Sequence, residues 1–206
     1  MEIVENGQAE PSGPGAGRVC LPEGVRLHGH GVVLREWEEG DLGAMVKLFD
    51  DPEVAYWTPL VSPFDPEAAR AYLDRARQRR AAGERLQLAI TVDGGEPMGE
   101  VLLMLSGLGL DVAEIGYSVG SAFRGRGLAR GAVRVMTEFA RDTVGVSRLL
   151  LEIEAGNAAS VAVARAAGYR LTDAPPVPSE EKGRPIALRT WEYEGAGEET
   201  SGARPV

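Results

Sequence analysis

Residues Gly116 to Gly131 read GYSVGSAFRGRGLARG, a run of glycines and arginines between a short apolar segment and a long amphipathic one. A turn of this composition at the start of a helix is suited to hold an anion. The first N–H groups of a helix have no carbonyl partner, the helix dipole adds partial positive charge beside them, and glycines let a ligand approach the main chain. Arg124, Arg126 and Arg130 add side-chain charge. The stretch therefore reads as a phosphate grip. It is not a Walker A loop, because no G-x-x-x-x-G-K-[ST] run occurs. It is not a dinucleotide fingerprint either. Gly125 and Gly127 supply the first pair of G-x-G-x-x-G, but Arg130 stands at the third position and the glycine comes one residue late.

Other reactive side chains are few. His28 and His30, in HGHG, have chelating spacing, yet there is no further histidine and a single cysteine, so a His/Cys metal site cannot be completed. A turn before a strand is expected there, and no metal. Cys20 lies in a Gly/Pro-rich lead and reads as a spectator thiol. A lone cysteine permits no internal disulfide and points to a cytoplasmic protein. Tyr56-Trp57-Thr58-Pro59 is a bulky run that reads either as a packed loop or as a wall of an acceptor pocket.

The chain has 206 residues, 44% hydrophobic and 26% charged, which fits one globular domain with loose ends. The expected organisation is a flexible lead over 1–24, a domain over 25–194 and a flexible tail over 195–206. The net charge of −9 argues against nucleic acid, which selects basic surfaces. An acidic chain also repels an anionic ligand at long range, so a phosphate site must work by local geometry. No apolar run reaches membrane-spanning length, and the N-terminus lacks the pattern of a signal peptide.

The elements that must position the loop follow from periodicity. Val32 to Trp37 reads as a first strand. Asp41 is placed as the N-cap of a helix with Leu42, Met45, Val46 and Phe49 on one face, and Asp51-Pro52 opens a short helical piece. Asp65-Pro66 opens a longer helix ending near Gly83, whose Arg70, Arg75, Arg77, Arg79 and Arg80 read as a solvated face. Leu86 to Val92 alternates as a strand, Asp93-Gly94-Gly95 turns, and the return strand runs from Pro97 to about Leu105. A second turn at Gly107 to Asp111 leads to a third strand, Val112 to Val119. The helix from Leu128 carries its apolar stripe at Leu128, Ala132, Val135, Met136 and Phe139, with Gly145 at the turn beyond it. Arg148 to Glu154, with three successive leucines, reads as a central strand covered on both faces. Asn157 starts a helix that ends at Gly168. A strand over Tyr169 to Thr172, a Pro-rich loop over Ala174 to Pro185 and a last strand over Ala187 to Tyr193 follow. The fold class is α/β with a mixed, mostly antiparallel sheet: an antiparallel meander, then a β-α-β crossover.

Arg124-Gly125-Arg126-Gly127-Leu128-Ala129 fits [RQ]-x-x-G-x-[GA] between a strand and an amphipathic helix. With the opening LREW and GD, the EIGYSVG strand and the NAAS and AAGY segments, the chain resembles the GNAT N-acetyltransferases, in particular their RimJ/RimL-like branch, over roughly Gly31 to Tyr193. The resemblance implies a central sheet that splays at the acetyl-CoA site. Main-chain N–H groups from Arg124 through Gly125, Arg126, Gly127 and Leu128 to Ala129 would hold the coenzyme pyrophosphate. Pantetheine would enter the splay like an added strand, against main chain near Tyr117 and Val119.

It also implies the reaction, direct attack of an amine on the acetyl thioester, which needs a base for the ammonium and an acid for the departing thiolate. Glu114, on the strand that runs into the loop, is the leading base candidate, with Glu100, Glu152 and Glu154 as rivals. Alternation puts Glu114, Gly116 and Ser118 on one face and Ile115, Tyr117 and Val119 on the other, unless a bulge intervenes. Many family members carry a tyrosine seven residues after the helix-opening asparagine. Here that position is Ala164, and the acid candidate is Ser160, matching the serine of the RimJ/RimL branch. Asn157 caps its helix and is placed at pantetheine. Tyr56 and Trp57 are placed at the acceptor, an amine of a protein N-terminus or a small molecule. The missing tyrosine keeps open an alternative, a non-catalytic acyl-CoA sensor or scaffold. No nucleic-acid or membrane partner is expected, and the resemblance leaves a homodimer open.

Overall fold

Two hairpins missed by hydrophobic periodicity frame the sheet. His30 and Gly31 both take left-handed backbone, φ 49° and 79°, which matches the twist a tight antiparallel turn needs. That turn joins β1 (Arg26–Gly29) to β2 (Val32–Glu36), so HGHG is strand and turn, and His30 Nε2 meets Glu138 at 2.7 Å. At the other end, Lys182 and Gly183, φ 53° and 77°, turn β8 (Val177–Glu181) into β9 (Arg184–Tyr193). The expected Pro-rich loop is thus half a hairpin. Pro178 is tolerated because β8 pairs on one side only, with β9.

This computed structural model describes residues 21–105 and 111–194. Cys20, most of the lead, the tail and the turn expected at 107–111, except Asp111, lie outside the described residues. Leu21, near the end of the expected lead, and Val25, the first residue of the expected domain, are buried in the core. The remaining elements in chain order are α1 (Leu42–Phe49), α2 (Pro52–Trp57), α3 (Pro66–Ala81), β3 (Arg85–Thr91), β4 (Gly99–Met104), β5 (Val112–Val119), α4 (Leu128–Phe139), β6 (Arg148–Glu154), α5 (Ala158–Ala166) and β7 (Tyr169–Leu171). The sheet order is β1-β2-β3-β4-β5-β6-β9-β7, with β8 on β9. Only β5 and β6 pair in parallel; the other pairings are antiparallel. No helix among the described residues is long and apolar enough to cross a membrane.

Local chemistry sets the helix starts. Asp51 accepts the N–H groups of Glu53 and Val54, and Asp65 that of Ala68, each followed by proline at the first helical position. Asp41 does not cap α1 as expected. Arg35 grips its carboxylate through both guanidinium nitrogens, at 2.7 and 2.9 Å, and the Glu38 N–H takes its remaining acceptor capacity at 2.9 Å. A bidentate, nearly buried ion pair is stronger than a cap, so it decides where the carboxylate points.

The core has two parts. On one face, Ala132, Met136 and Phe139 of α4 pack on Leu34, Leu88, Val101, Ile115, Leu151 and their neighbours. On the other, α1, α2 and α3 gather Met45, Phe49, Val54, Phe64 and Leu73 over β3 at Ala89. That second layer leaves the β5–β6–β9 part of its face uncovered. Strand β6 is therefore central but covered on one face: Leu149, Leu151 and Ile153 are buried, while Leu150, Glu152 and Glu154 alternate with them, half-buried.

Candidate active site

The site begins where the sheet divides. β5 and β6 share three paired positions, Val112 with Arg148, Ala113 with Leu149 and Glu114 with Leu150. Beyond Glu114, β5 continues on β4 as far as Val119, and β6 continues on β9 as far as Glu154. Strand parity shows what this leaves bare. The Leu105 N–H bonds to Glu84 on the β3 side, so Met104, Leu102 and Glu100 turn their main-chain groups to β5, toward their partners Glu114, Gly116 and Ser118. The N–H and C=O groups of Ile115, Tyr117 and Val119 must then point toward β6, across the division. The Glu114–Leu150 pairing takes the Ile115 N–H and Arg124 takes the Val119 carbonyl, so an added extended chain would find the Ile115 carbonyl, both groups of Tyr117 and the Val119 N–H.

At the end of β5 the chain passes through a short 3-10 turn into the glycine loop. Gly125 and Gly127 are both left-handed, φ 74° and 78°, a conformation other L-residues adopt at a cost. The first bond of the α4 ladder runs from the Gly131 N–H to the Gly127 carbonyl at 3.0 Å. The N–H groups of Leu128, Ala129 and Arg130 thus have no ladder partner, and no side chain caps the helix. Their donors and the positive end of the helix dipole face one open cavity. The Arg124 N–H is not part of this set, since it bonds to the Ser121 carbonyl at 3.4 Å.

The cavity has a volume of about 840 Å³ and runs from this loop across the division to the uncovered sheet face. Its lining joins most of the residues singled out from the sequence: Glu114, Tyr117, Val119, Gly125, Gly127, Leu128, Ala129, Asn157, Ser160 and Trp57. Register makes its floor a grid. One row reads Arg85, Met104, Glu114, Leu150; the next reads Gln87, Leu102, Gly116 and, beyond the division, Glu152 and Thr190; the third reads Ala89, Glu100, Ser118 and then Glu154 and Leu188.

Four carboxylates share this floor, and the structure separates them. Glu154 is held by Arg184 at 2.8 and 3.0 Å. Glu100 is buried, accepts from the Tyr72 hydroxyl at 2.7 Å and is pushed up to about 7 by burial, against the pull of those hydrogen bonds. Glu152 accepts from Thr190 through one oxygen at 2.8 Å, and its other oxygen is buried without a partner. Glu114 has no hydrogen-bond partner among the described residues. Burial pushes its carboxyl up to about 7, the Glu152 charge adds to this, and Arg85 opposes it. A half-buried, uncommitted carboxyl titrating near neutrality at the division of the sheet is suited to general-base work.

Across the division stands α5. Asn157 caps it, its carbonyl oxygen accepting the Ser160 N–H at 3.0 Å. The Ser160 main-chain carbonyl accepts the Tyr117 hydroxyl at 3.2 Å, and burial pushes that phenol up to about 12. The Ser160 hydroxyl makes no hydrogen bond within the described residues, so it is free to donate into the cavity. Ala164 is fully buried against the core, so the tyrosine position of the resemblance faces away from the cavity.

Three expectations change. The Arg124 side chain does not reach toward the helix start; it bonds the Val119 carbonyl at 3.1 Å and forms an ion pair with Glu53 of α2. Arg126 does not line the main cavity. It borders an outer depression with Gly125, Arg130, Ala162, Val163 and Ala166, and its guanidinium lies 5.9 Å from the Phe123 ring centroid. Tyr56 is on α2, not in a loop, and lies outside the cavity lining, stacked on Arg184 at 4.4 Å. The arginines of α3 are exposed as expected except Arg80, which is drawn in toward Glu36 and Glu23. Arg70 and Arg77 meet Glu39, while Arg75 and Arg79 line the cavity. Sequence reasoning also passed over Arg85 and Gln87 on the floor. The alternation that put Leu86, Leu88 and Ile90 in the core already assigned these two to the opposite face.

Residues 32–170 match the acetyltransferase (GNAT) domain family. The chain is 33% identical over 109 residues to the uncharacterized N-acetyltransferase YdgE of Bacillus subtilis (strain 168), across 52% of this chain and 69% of that protein. Its fold is shared with RimJ of Mycobacterium smegmatis in complex with CoA-disulfide, at TM-score 0.69 and 22% identity, over 85% of this chain and 89% of RimJ. It is likewise shared with a GNAT-family acetyltransferase from Bacillus anthracis, at TM-score 0.70 and 15% identity, over 82% and 97%.

Proposed function

The chain belongs to the GNAT acetyltransferase family, and from that premise we propose that it is an acetyl-CoA-dependent N-acetyltransferase acting on a primary amine by direct attack in a ternary complex. The observation that carries this reading is the juxtaposition of partnerless helix-start N–H groups with a bare strand edge that begins beside Glu114. A diphosphate fits the first and an amide-bearing extended arm fits the second, which is the chemistry of coenzyme A. The solved complex of RimJ with CoA-disulfide is consistent with that assignment. The unit that carries the reaction is residues 25–194.

Acetyl-CoA supplies an acyl carbon activated by its thioester. Gly125 to Arg130 hold the pyrophosphate through main-chain donors, and Tyr117 and Val119 bond the pantetheine amides. Asn157 fixes the start of α5 beside that arm. Glu114 takes a proton from the acceptor ammonium, directly or through one water. The amine nitrogen then bonds to the acyl carbon as the carbon–sulfur bond breaks; the Ser160 hydroxyl gives its proton to the departing sulfur and regains one from the nitrogen's second proton, so the products are the amide and the free thiol. Trp57, at the end of α2, walls the acceptor side.

The test is a melting curve followed by an amine panel scored by CoA release. At one hundred times its Kd, acetyl-CoA stabilises the fold by about 2.7 kcal/mol. For a chain of this size that raises Tm by roughly 5–10 °C, and ATP does not. Equal shifts from the two ligands, or no CoA release from any amine, would overturn the reading.

A further inference from the structure

The cavity separates charge in a way the acetyl transfer itself does not require. Several ionic groups on its lining cancel locally: Arg124 with Glu53, and Arg184 with Glu154. Of the rest, Arg130 belongs to the helix start, Glu181 to the end of β8, and Glu100 is held by Tyr72; the others fall on two sides. Arg75 and Arg85 have no carboxylate within ion-pair distance among the described residues, and Arg79, one turn along α3 from Arg75, reaches Glu84 only at 3.9 Å. All three line the cavity, and the Arg85 Nε is buried without an acceptor. Opposite them stand Glu114, uncommitted, and Glu152, whose second oxygen is buried and unpaired. A buried donor and a buried acceptor without partners are costly in a protein that binds nothing there, and useful where a ligand completes them.

Geometry restricts what completes them. Arg85 and Glu114 sit in one row of the floor with β4 between them, so their Cα positions are about 10 Å apart. Both side chains rise from the same sheet face and line the cavity, so one small molecule lying along the row can meet charges of both signs. The roof also favours a small acceptor. The Lys182 ammonium bonds to the Ala55 carbonyl, and Arg184 donates to the Tyr56 carbonyl at 3.4 Å, so the tip of the β8–β9 hairpin is tied to α2. Trp57 reaches toward Gly156, 3.9 Å from where a Cβ would stand. The glycine loop and this tie bound the space from opposite ends.

Resting on the acetyltransferase reading above, we propose that the acceptor is an amino-acid-sized amine bearing a carboxylate: its ammonium lies between Glu114 and Glu152, and its carboxylate is received by Arg85 with Arg75 and Arg79. The planar fork of an arginine suits a carboxylate. Arg85 is a specificity-determining residue in this scheme and takes no part in the bond changes.

The experiment uses the full chain and needs no turnover. Isothermal titration compares N-acetylated amino acids, which are products of the reaction, with their C-terminal amides, across acidic, aliphatic and aromatic side chains. The best acid binds at least tenfold more tightly than its amide twin. Arg85→Gln reduces that ratio to below threefold, and the loss falls on the acid. Amides that bind as well as acids, amidated peptides that bind better than free acids, or an Arg85→Gln variant that keeps the ratio would each overturn the proposal. A titration with acetyl-CoA on the same samples separates the two levels. If acetyl-CoA binds to wild type while acids show no preference over amides, the acceptor proposal fails alone. If acids are preferred and acetyl-CoA does not bind, the coenzyme reading fails and the anion site stands. Unchanged acetyl-CoA affinity in Arg85→Gln shows that the variant is folded.

Discussion

Replacing Glu114 by glutamine tests the base assignment through pH. The wild-type carboxyl titrates at about 7, raised first by burial and then by the Glu152 charge. Only the ionised form accepts a proton. With a midpoint near 7, about a tenth of the enzyme is active at pH 6 and about nine-tenths at pH 8, roughly a tenfold rise. The acceptor ammonium also loses its proton over this range, so a profile of wild type alone is ambiguous. The ratio of wild-type to Glu114→Gln kcat/KM, measured with one amine from pH 5.5 to 9, removes that contribution. The ratio should climb by about tenfold from pH 6 to pH 8, then level at about 100-fold or more, the usual size of general-base catalysis. Two neighbours move the midpoint in opposite directions. Glu152→Gln removes a charge that raises the Glu114 pKa, so the midpoint moves down; Arg85→Gln removes one that lowers it, so the midpoint moves up. A ratio that stays flat across the range would refute the reasoning, as would a Glu152→Gln midpoint that moves upward.

Four other variants have expected outcomes. Gly127→Glu places bulk and negative charge against the pyrophosphate donors and abolishes acetyl-CoA binding in a titration. Gly127→Ala meets nothing closer than Arg130 Nη2 at 3.6 Å and costs only about 1–2 kcal/mol of stability for its left-handed backbone. Ser160→Ala removes one hydrogen bond to the departing sulfur and slows kcat by about 10–100-fold, with acetyl-CoA affinity nearly unchanged; an unaltered kcat, with chemistry limiting, removes Ser160 as donor. Glu100→Gln acts on stability. Its folded carboxyl titrates at about 7 against an ordinary 4.5, so the native state binds more protons and stability falls as pH rises through that window. Relative to wild type, Glu100→Gln therefore gains about 2–3 kcal/mol between pH 5 and pH 8 in urea melts, and parallel curves for the two proteins contradict this.

What the sequence made legible was local. The glycine loop, the Asp51, Asp65 and Asn157 caps and the faces of β3 and β5 depend on residues a few positions apart, and each appears where short-range rules put it. What it hid was paired over distance. Arg124 turns to Glu53, Glu154 to Arg184 and Asp41 to Arg35 because the topology brings their elements together. The β1–β2 hairpin was obscured by a histidine in a left-handed turn position, and β8 by a proline that an edge strand accepts. The three leucines of β6 misled for a related reason. They suggest burial on both faces, but the second face is the floor of the cavity, because the core of α1, α2 and α3 gathers over β3 and, through Tyr72, β4.

The central claim is that the loop at Gly125 to Arg130 and the bare edge of β5 together hold acetyl-CoA. A crystal structure of the complex tests it most directly. The expected complex has the pyrophosphate on the N–H groups of that loop and the pantetheine amides bonded to the main chain of Tyr117 and Val119, with the acetyl carbon between Glu114 and Ser160. A coenzyme bound elsewhere, with the division between β5 and β6 left empty, would contradict it.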